Sequence, residues 1–233
     1  MDIGKAFTFA FDDEEWIVKI LIAAAILAGG ILLGILVIPA IVAGLLLAGY
    51  GVEITRRVIG RDPQVLPKWD NWGDLFVDGL KVAVISIVYA LPIILIGLCL
   101  GIPAGIAAED SQEVSAVLNA IMGCLNILWG IPMGLLLPAA IASFVAQDDL
   151  AAAFRFRDIF TLVRNHFATY LIVLVIGWVA SLVGGLGILV CGIGLLVTGP
   201  YAGWITSHLY GQAYVEATSL APEPTFEDLD NVA

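Results

Sequence analysis

Charged residues make up only 13% of this 233-residue chain, and none occurs in residues 20–52, 82–108, 114–147 or 165–215. Such gaps exclude an ordinary water-soluble domain, in which about a quarter of the residues are charged. Positive charge is scarcer still. Ten Lys and Arg against 21 Asp and Glu leave a net charge of −11, and an acidic surface repels phosphate, which argues against nucleic acid as a partner. The three cysteines, Cys99, Cys124 and Cys191, show no CxxC or Cys/His spacing, and neither His166 nor His208 has a ligand at metal-binding distance in sequence. Buried packing is the expectation for the cysteines and a structural or interfacial role for the histidines. No GxSxG, HExxH or P-loop pattern is present. The chain is therefore expected to carry no metal or cofactor and to be no enzyme.

What the sequence does hold is apolar length. Hydrophobic residues make up 61% of it and the mean hydropathy is +1.01. A helix rises about 1.5 Å per residue and the hydrocarbon core is about 30 Å thick, so about 20 apolar residues cross it once. Residues 17–59 and 165–215 are each too long for one crossing and must turn back, the first at Pro39 and the second at Gly184-Gly185-Leu186-Gly187. The expected architecture is an all-α integral membrane protein with six transmembrane helices near 17–38, 40–59, 80–100, 117–145, 170–183 and 188–209. These form one domain over residues 1–215, and residues 216–233, with Pro222, Pro224 and five acids, form an acidic disordered tail.

Charge tests this threading independently, because Lys and Arg accumulate in cytoplasmic loops. With the N-terminus inside, Lys5, Lys19, Arg56, Arg57, Arg61, Lys68, Lys81, Arg155, Arg157 and Arg164 all fall on the cytoplasmic side. The outer connections carry no basic residue, and the one at Glu109, Asp110 and Glu113 is acidic. Both termini are thus expected in the cytoplasm and the protein in the plasma membrane. Met1-Asp2 and the acids at 12–15 do not supply the basic region of a secretory signal, so the first helix is expected to stay.

The sequence also echoes itself. Trp72-Gly73-Asp74-Leu75-Phe76 recurs as Phe156-Arg157-Asp158-Ile159-Phe160, and Tyr50-x3-Ile54-Thr55 recurs as Tyr201-x3-Ile205-Thr206. An internal repeat is the expectation, its two units sharing one orientation about an axis along the membrane normal. Both aromatic-x-Asp segments are expected to be amphipathic elbow helices at the cytoplasmic interface, near 69–80 and 154–167. Trp69, Trp72, Phe76, Phe156 and Phe160 would anchor them. Their acids either face water or, at Asp74 and Asp158, pair with cytoplasmic Arg residues.

Gly49-Tyr50, Arg56-Arg57, the run Leu66-Pro67-Lys68-Trp69-Asp70-Asn71-Trp72-Gly73-Asp74-Leu75-Phe76-Val77-Asp78-Gly79-Leu80-Lys81 and the pair Tyr89 and Pro92 carry a resemblance. The chain resembles a largely archaeal, prokaryotic family of membrane proteins catalogued as domain of unknown function 4013. The resemblance implies an integral membrane protein and supplies no activity.

Two further features bear on function. Gly97, Gly101 and Gly105 form a small-xxx-small ridge, and Gly30 with Gly34, Gly199 with Gly203, and Gly177 with Ser181 and Gly185 repeat the device. Small residues let helices approach in lipid, here chiefly within the chain, with self-association or a membrane-protein partner as the alternative. On the fourth span Asn119 and Asn126 follow helical spacing, and they either bond neighbouring helices or line a narrow polar path. No charge lies near a midplane; Glu53 comes closest, with Arg56 and Arg57 three and four residues along to neutralise it. The leading expectation is a non-catalytic scaffold or accessory subunit working through helix association in contact with membrane lipid. The rival is a passive channel or permease for a small neutral solute or lipid.

Overall fold

The computed structural model describes residues 1–33, 37–189 and 192–219. Among them every regular element is a helix. Helix α1 (Ile3–Thr8), capped by the Asp2 side chain on the Lys5 N–H, runs into a 3-10 turn (Phe9–Asp12). Then come α2 (Trp16–Leu32), α3 (Ile38–Ile59), α4 (Trp72–Asp110) and α5 (Gln112–Gln147). A 3-10 turn (Leu150–Phe154), α6 (Phe156–Asn165), α7 (Phe167–Gly185), a 3-10 turn (Leu186–Leu189) and α8 (Leu195–Ser219) complete the chain.

Four stretches are long and apolar enough to cross a membrane: Ile38–Ile59, Trp72–Ala107, Gln112–Gln147 and Phe167–Leu189. A fifth results if Ile3–Asp12 and Trp16–Leu32, bent by 97° to one another, count as one span. Helix α8 carries Thr198, Thr206, Ser207, His208 and Gln212 and falls short of that measure.

Local chemistry explains the breaks. Pro39 sits in the first turn of α3, where its missing N–H costs nothing. Ser111 caps α5 through its side chain on the Val114 N–H. The glycine-rich turn after α7 is obligatory: Gly192 has φ +78°, and a Cβ on Gly187 would stand 2.3 Å from the Leu195 nitrogen. That turn lies a few residues later than the sequence suggested, so α8 begins at Leu195 and extends to Ser219. The expected tail from 216 therefore opens as helix, and residues 220–233 lie outside the described residues.

Neighbouring residues give the helix directions. Gly30 meets Ala43, Gly49 meets Leu75 and Gly79 meets Leu45, so α2 opposes α3 and α3 opposes α4. Gly97 meets Met122 and the Trp129 indole donates to the Tyr89 carbonyl, so α4 opposes α5. Gly184 meets Ala202 and Gly187 meets Leu195, so α7 opposes α8. Helix α8 runs parallel to α3, with Tyr50 stacked on Trp204, Thr55 bonded to Ser207 and Gly211 against Val58.

The packed core lies at the end of the bundle that holds Arg56, Asp78 and Asp148. One cluster gathers Ile85, Tyr89, Phe144, Ile159, Tyr170 and Val173 across α4 to α7, and another gathers Phe9, Ile20, Tyr50, Leu66 and Trp204. The tightest contact is reciprocal. A Cβ on Gly49 would fall 1.8 Å from the Leu75 carbonyl oxygen, and one on Gly79 would fall 1.9 Å from that of Leu45.

Two expectations need correction here. The segment 69–80 is not a separate elbow, since α4 runs unbroken from Trp72 to Asp110. Gly79, which could have hinged it, is used to seat α4 on α3 instead. The ridge Gly97, Gly101, Gly105 does not close helices within the chain either: Gly97 touches only the Met122 side chain, and nothing lies within 4 Å of a Cβ at Gly101 or Gly105. Gly30 does make a close approach to Ala43, whereas Gly177, Gly185 and Gly203 face open space and Gly34 lies outside the described residues.

Candidate functional site

Beyond Tyr89 and Trp129 the α4–α5 hairpin leaves the core. Ile94, Leu95, Leu98, Ile102 and Ile106 of α4 and Val114, Val117, Ile121, Ile127 and Leu128 of α5 are all exposed. Among the residues described in this stretch only Ala104 and Ser115 are buried. The hairpin is also long. At about 1.5 Å per residue, the 39 residues of α4 extend about 58 Å and the 36 of α5 about 54 Å, against about 28 Å for the 19 of α7.

The residues singled out in the sequence fall largely on this hairpin surface. Asn119 is exposed and its amide donates to the Ser115 carbonyl at 2.9 Å; Asn126 is exposed and donates to Met122 in the same way. Both therefore satisfy their own helix and face outward, and neither lines a path through the bundle. Cys99 and Cys124 are likewise exposed rather than packed inside, and Cys191 lies outside the described residues.

The aromatic anchors divide into two kinds. Trp69 stacks on Tyr50 at 4.1 Å and its indole donates to the Lys19 carbonyl, while Trp72, Phe76, Phe156 and Phe160 stay exposed. Helix α6, with Phe156, Asp158 and Phe160, is a distinct element. Asp74 and Asp158 make no ion pair among the described residues. The acid that does is Asp78, 2.9 Å from Arg56 and 2.8 Å from Lys81. Arg56 also reaches Glu53 at 2.5 Å, and Arg57 holds Glu53 at 3.1 Å, so the one acid of α3 is neutralised by its own helix.

Sequence reasoning missed a polar knot beside this network. Lys19 is buried, its ammonium 2.6 Å from Asp13 and 3.1 Å from the Leu66 carbonyl, while the Tyr50 hydroxyl donates to the Pro67 carbonyl. Burial raises the Asp13 pKa, but the hydrogen bond and charge of Lys19 and the Glu15 N–H outweigh it and hold the carboxyl below its ordinary value. At the far end of α8, the N-terminal ammonium of Met1 and the Thr169 hydroxyl both bond Glu216 and lower its pKa. His208 is buried, stacked on Phe9 at 4.4 Å and beside Gln212, as a packing residue would be.

A half-open cleft of about 240 Å³ lies between Leu47, Gly51 and Thr55 of α3, Val82 of α4, Ile141 of α5 and Trp204, Ser207 and Tyr210 of α8. The Thr55 hydroxyl crosses its edge to the Ser207 carbonyl at 2.9 Å. Along α3 it extends from Leu47 to Thr55, about 12 Å of helix, which is well short of a bilayer core. No group of three or more His, Cys, Asp or Glu among the described residues is placed to hold a metal ion.

Compared with curated proteins and with solved structures, the chain matches none. The sequence model of the family described as a protein of unknown function, DUF4013, matches residues 32–193. That match covers the helices from α3 to α7, with the hairpin, the Arg56 network and α6, and the chain belongs to this family.

Proposed function

We propose that the protein is a non-catalytic scaffold or accessory subunit of the plasma membrane, and that it works by helix association through the α4–α5 hairpin. The observation that carries this reading is the hairpin's outward face. It is long, carries no charge over residues 82–108 and 114–147, is left exposed by the other described residues, and bears Gly101, Gly105, Asn119 and Asn126. Lipid offers no hydrophobic drive for helices to associate, so partners meet where small residues admit a backbone and amides can exchange hydrogen bonds.

The alternating directions of α2, α3, α4, α5, α7 and α8 support six crossings with both termini on one side, and the ten basic residues support the cytoplasm as that side. In that threading α1 and its 3-10 turn lie along the interface at 97° to α2. Helices α3 and α5 then run one way and α4 and α7 the other, which supports two units of one orientation.

The two exposed cysteines supply the test. A chain keeping Cys99 alone, with Cys124→Ser and Cys191→Ser, is treated in membranes with a bismaleimide cross-linker. A covalent dimer is expected, and likewise for a chain keeping Cys124 alone. Monomer throughout, with both thiols open to a monomaleimide label, would sink the reading.

The cleft between α3 and α8 favours a second reading, a passive path for a small neutral solute past Thr55, Ser207 and Tyr210. Its test is swelling of liposomes in a neutral osmolyte. Accelerated swelling that Gly51→Leu abolishes would favour the path over the scaffold.

A further inference from the structure

A groove of about 360 Å³ runs between α5 and α6, walled by Ile131, Leu135 and Leu136 on one side and by Phe160 and Val163 of α6 with Phe167 at the start of α7 on the other. Its size lies at the lower end of small-molecule pockets, about 300–1,000 Å³. Arg164 is the one charged residue on its lining. Helix α6 lies in the chain between a candidate span ending at Gln147 and the next beginning at Phe167, which places it at a membrane boundary. Ile159 and Val163 are buried and hold it to Phe144 and Val145 of α5, while Phe160 remains exposed.

The position of Arg164 is the unusual part. Its groove partners on α5 precede Gln147 by 11 to 16 residues, about 16 to 24 Å along the helix. Arg164 is exposed and lines the groove opposite a charge-free stretch of α5. Arg157 sits two helical turns earlier on the same face of α6. Neither arginine makes an ion pair among the described residues. Asp158, the one acid of α6, lines a separate cleft with Ser143, Gln147 and Tyr214. An arginine against apolar surface is costly without a counter-charge, and its planar fork matches phosphate oxygens.

We propose that this groove is a binding site for an anionic phospholipid, one acyl chain lying between α5 and α6 and the phosphate held by Arg164 with support from Arg157. The assignment rests on the chain being embedded in membrane, and it is independent of association through the α4–α5 hairpin.

The test is native mass spectrometry of the full chain in a gentle detergent, titrated with phosphatidylglycerol or phosphatidylcholine. The wild type is expected to retain one phosphatidylglycerol in preference to phosphatidylcholine. Arg164→Gln should lower phosphatidylglycerol retention about tenfold, the scale of one hydrogen bond to a charged group, and lower that of phosphatidylcholine less, because the choline ammonium already offsets its phosphate. Phe160→Ala removes a wall and should lower retention of both lipids. Arg164 and Phe160 are both exposed, so these variants keep the fold, and Arg164→Lys should restore part of the preference. Equal retention of the two lipids by the wild type, or wild-type retention of phosphatidylglycerol by Arg164→Gln, would overturn the proposal. So would retention of inorganic phosphate with no lipid retained. Loss of the cross-linked dimer with lipid preference intact would instead overturn the association reading alone.

Discussion

The Lys19 ammonium lies 2.6 Å from the Asp13 carboxylate, with both side chains buried, at 3% and 7% exposure. The pair ties the turn before α2 to the 60–71 connection, because the same ammonium bonds the Leu66 carbonyl. Removing one member strands the other in a low-dielectric site. Asp13→Ala should cost about 3–5 kcal/mol, and a double variant, Asp13→Leu with Lys19→Met, should recover most of it. Thermal unfolding in detergent measures both, and equal stability of the single and double variants would show that the pair carries no such penalty.

The same pair sets a pH dependence. The folded-state pKa of Asp13 is lowered, so its contribution is complete above the ordinary carboxylate value. It should fade as the pH falls through the lowered one. Acid titration of the melting temperature should show a loss at the low end that Asp13→Asn removes.

Glycine positions separate folding from association. Gly49→Ala drives a methyl into the Leu75 carbonyl and should destabilise the monomer by about 1–3 kcal/mol, as overpacking does. Gly101→Leu meets open space and should leave the monomer's melting temperature unchanged while reducing the Cys99 cross-link. A destabilised Gly101→Leu monomer would place a neighbour where the structure has none.

Topology is open to reporter fusions. Under the proposed threading, which places the ten basic residues on one side, a reporter at Gln112 should be external and one after Asn231 internal. An external C-terminus would leave an odd number of crossings.

The helices were legible in the sequence because charge-free runs of known length admit few solutions, and Pro39 and the glycines near 184–194 mark where the chain reverses. The faces of those helices were not. In water an apolar stripe points to the core, but in lipid the outside is as apolar as the inside. Gly101 and Gly49 therefore look alike in sequence, although one faces open space and the other touches Leu75. Asn119 and Asn126 are ambiguous for the same reason. Asp78 and Asp74 differ by one helical turn, and only the position of Arg56 on α3 decides which is paired. Lys19 with Asp13 escaped notice because a basic residue near a span end is usually solvated.

The unequal lengths of α5 and α7 have a consequence for the membrane itself. Helix α7 fits a bilayer core of about 30 Å, whereas the charge-free run 114–147 of α5 extends about 51 Å. The surrounding leaflets must thicken beside the hairpin, or the hairpin must tilt, at a cost of fractions of a kcal/mol per Å of mismatch. Two copies meeting at their hairpins share one deformed patch of bilayer instead of maintaining two. Acyl chain length is then a control on assembly: thin bilayers should drive the copies together, and thick ones should release them.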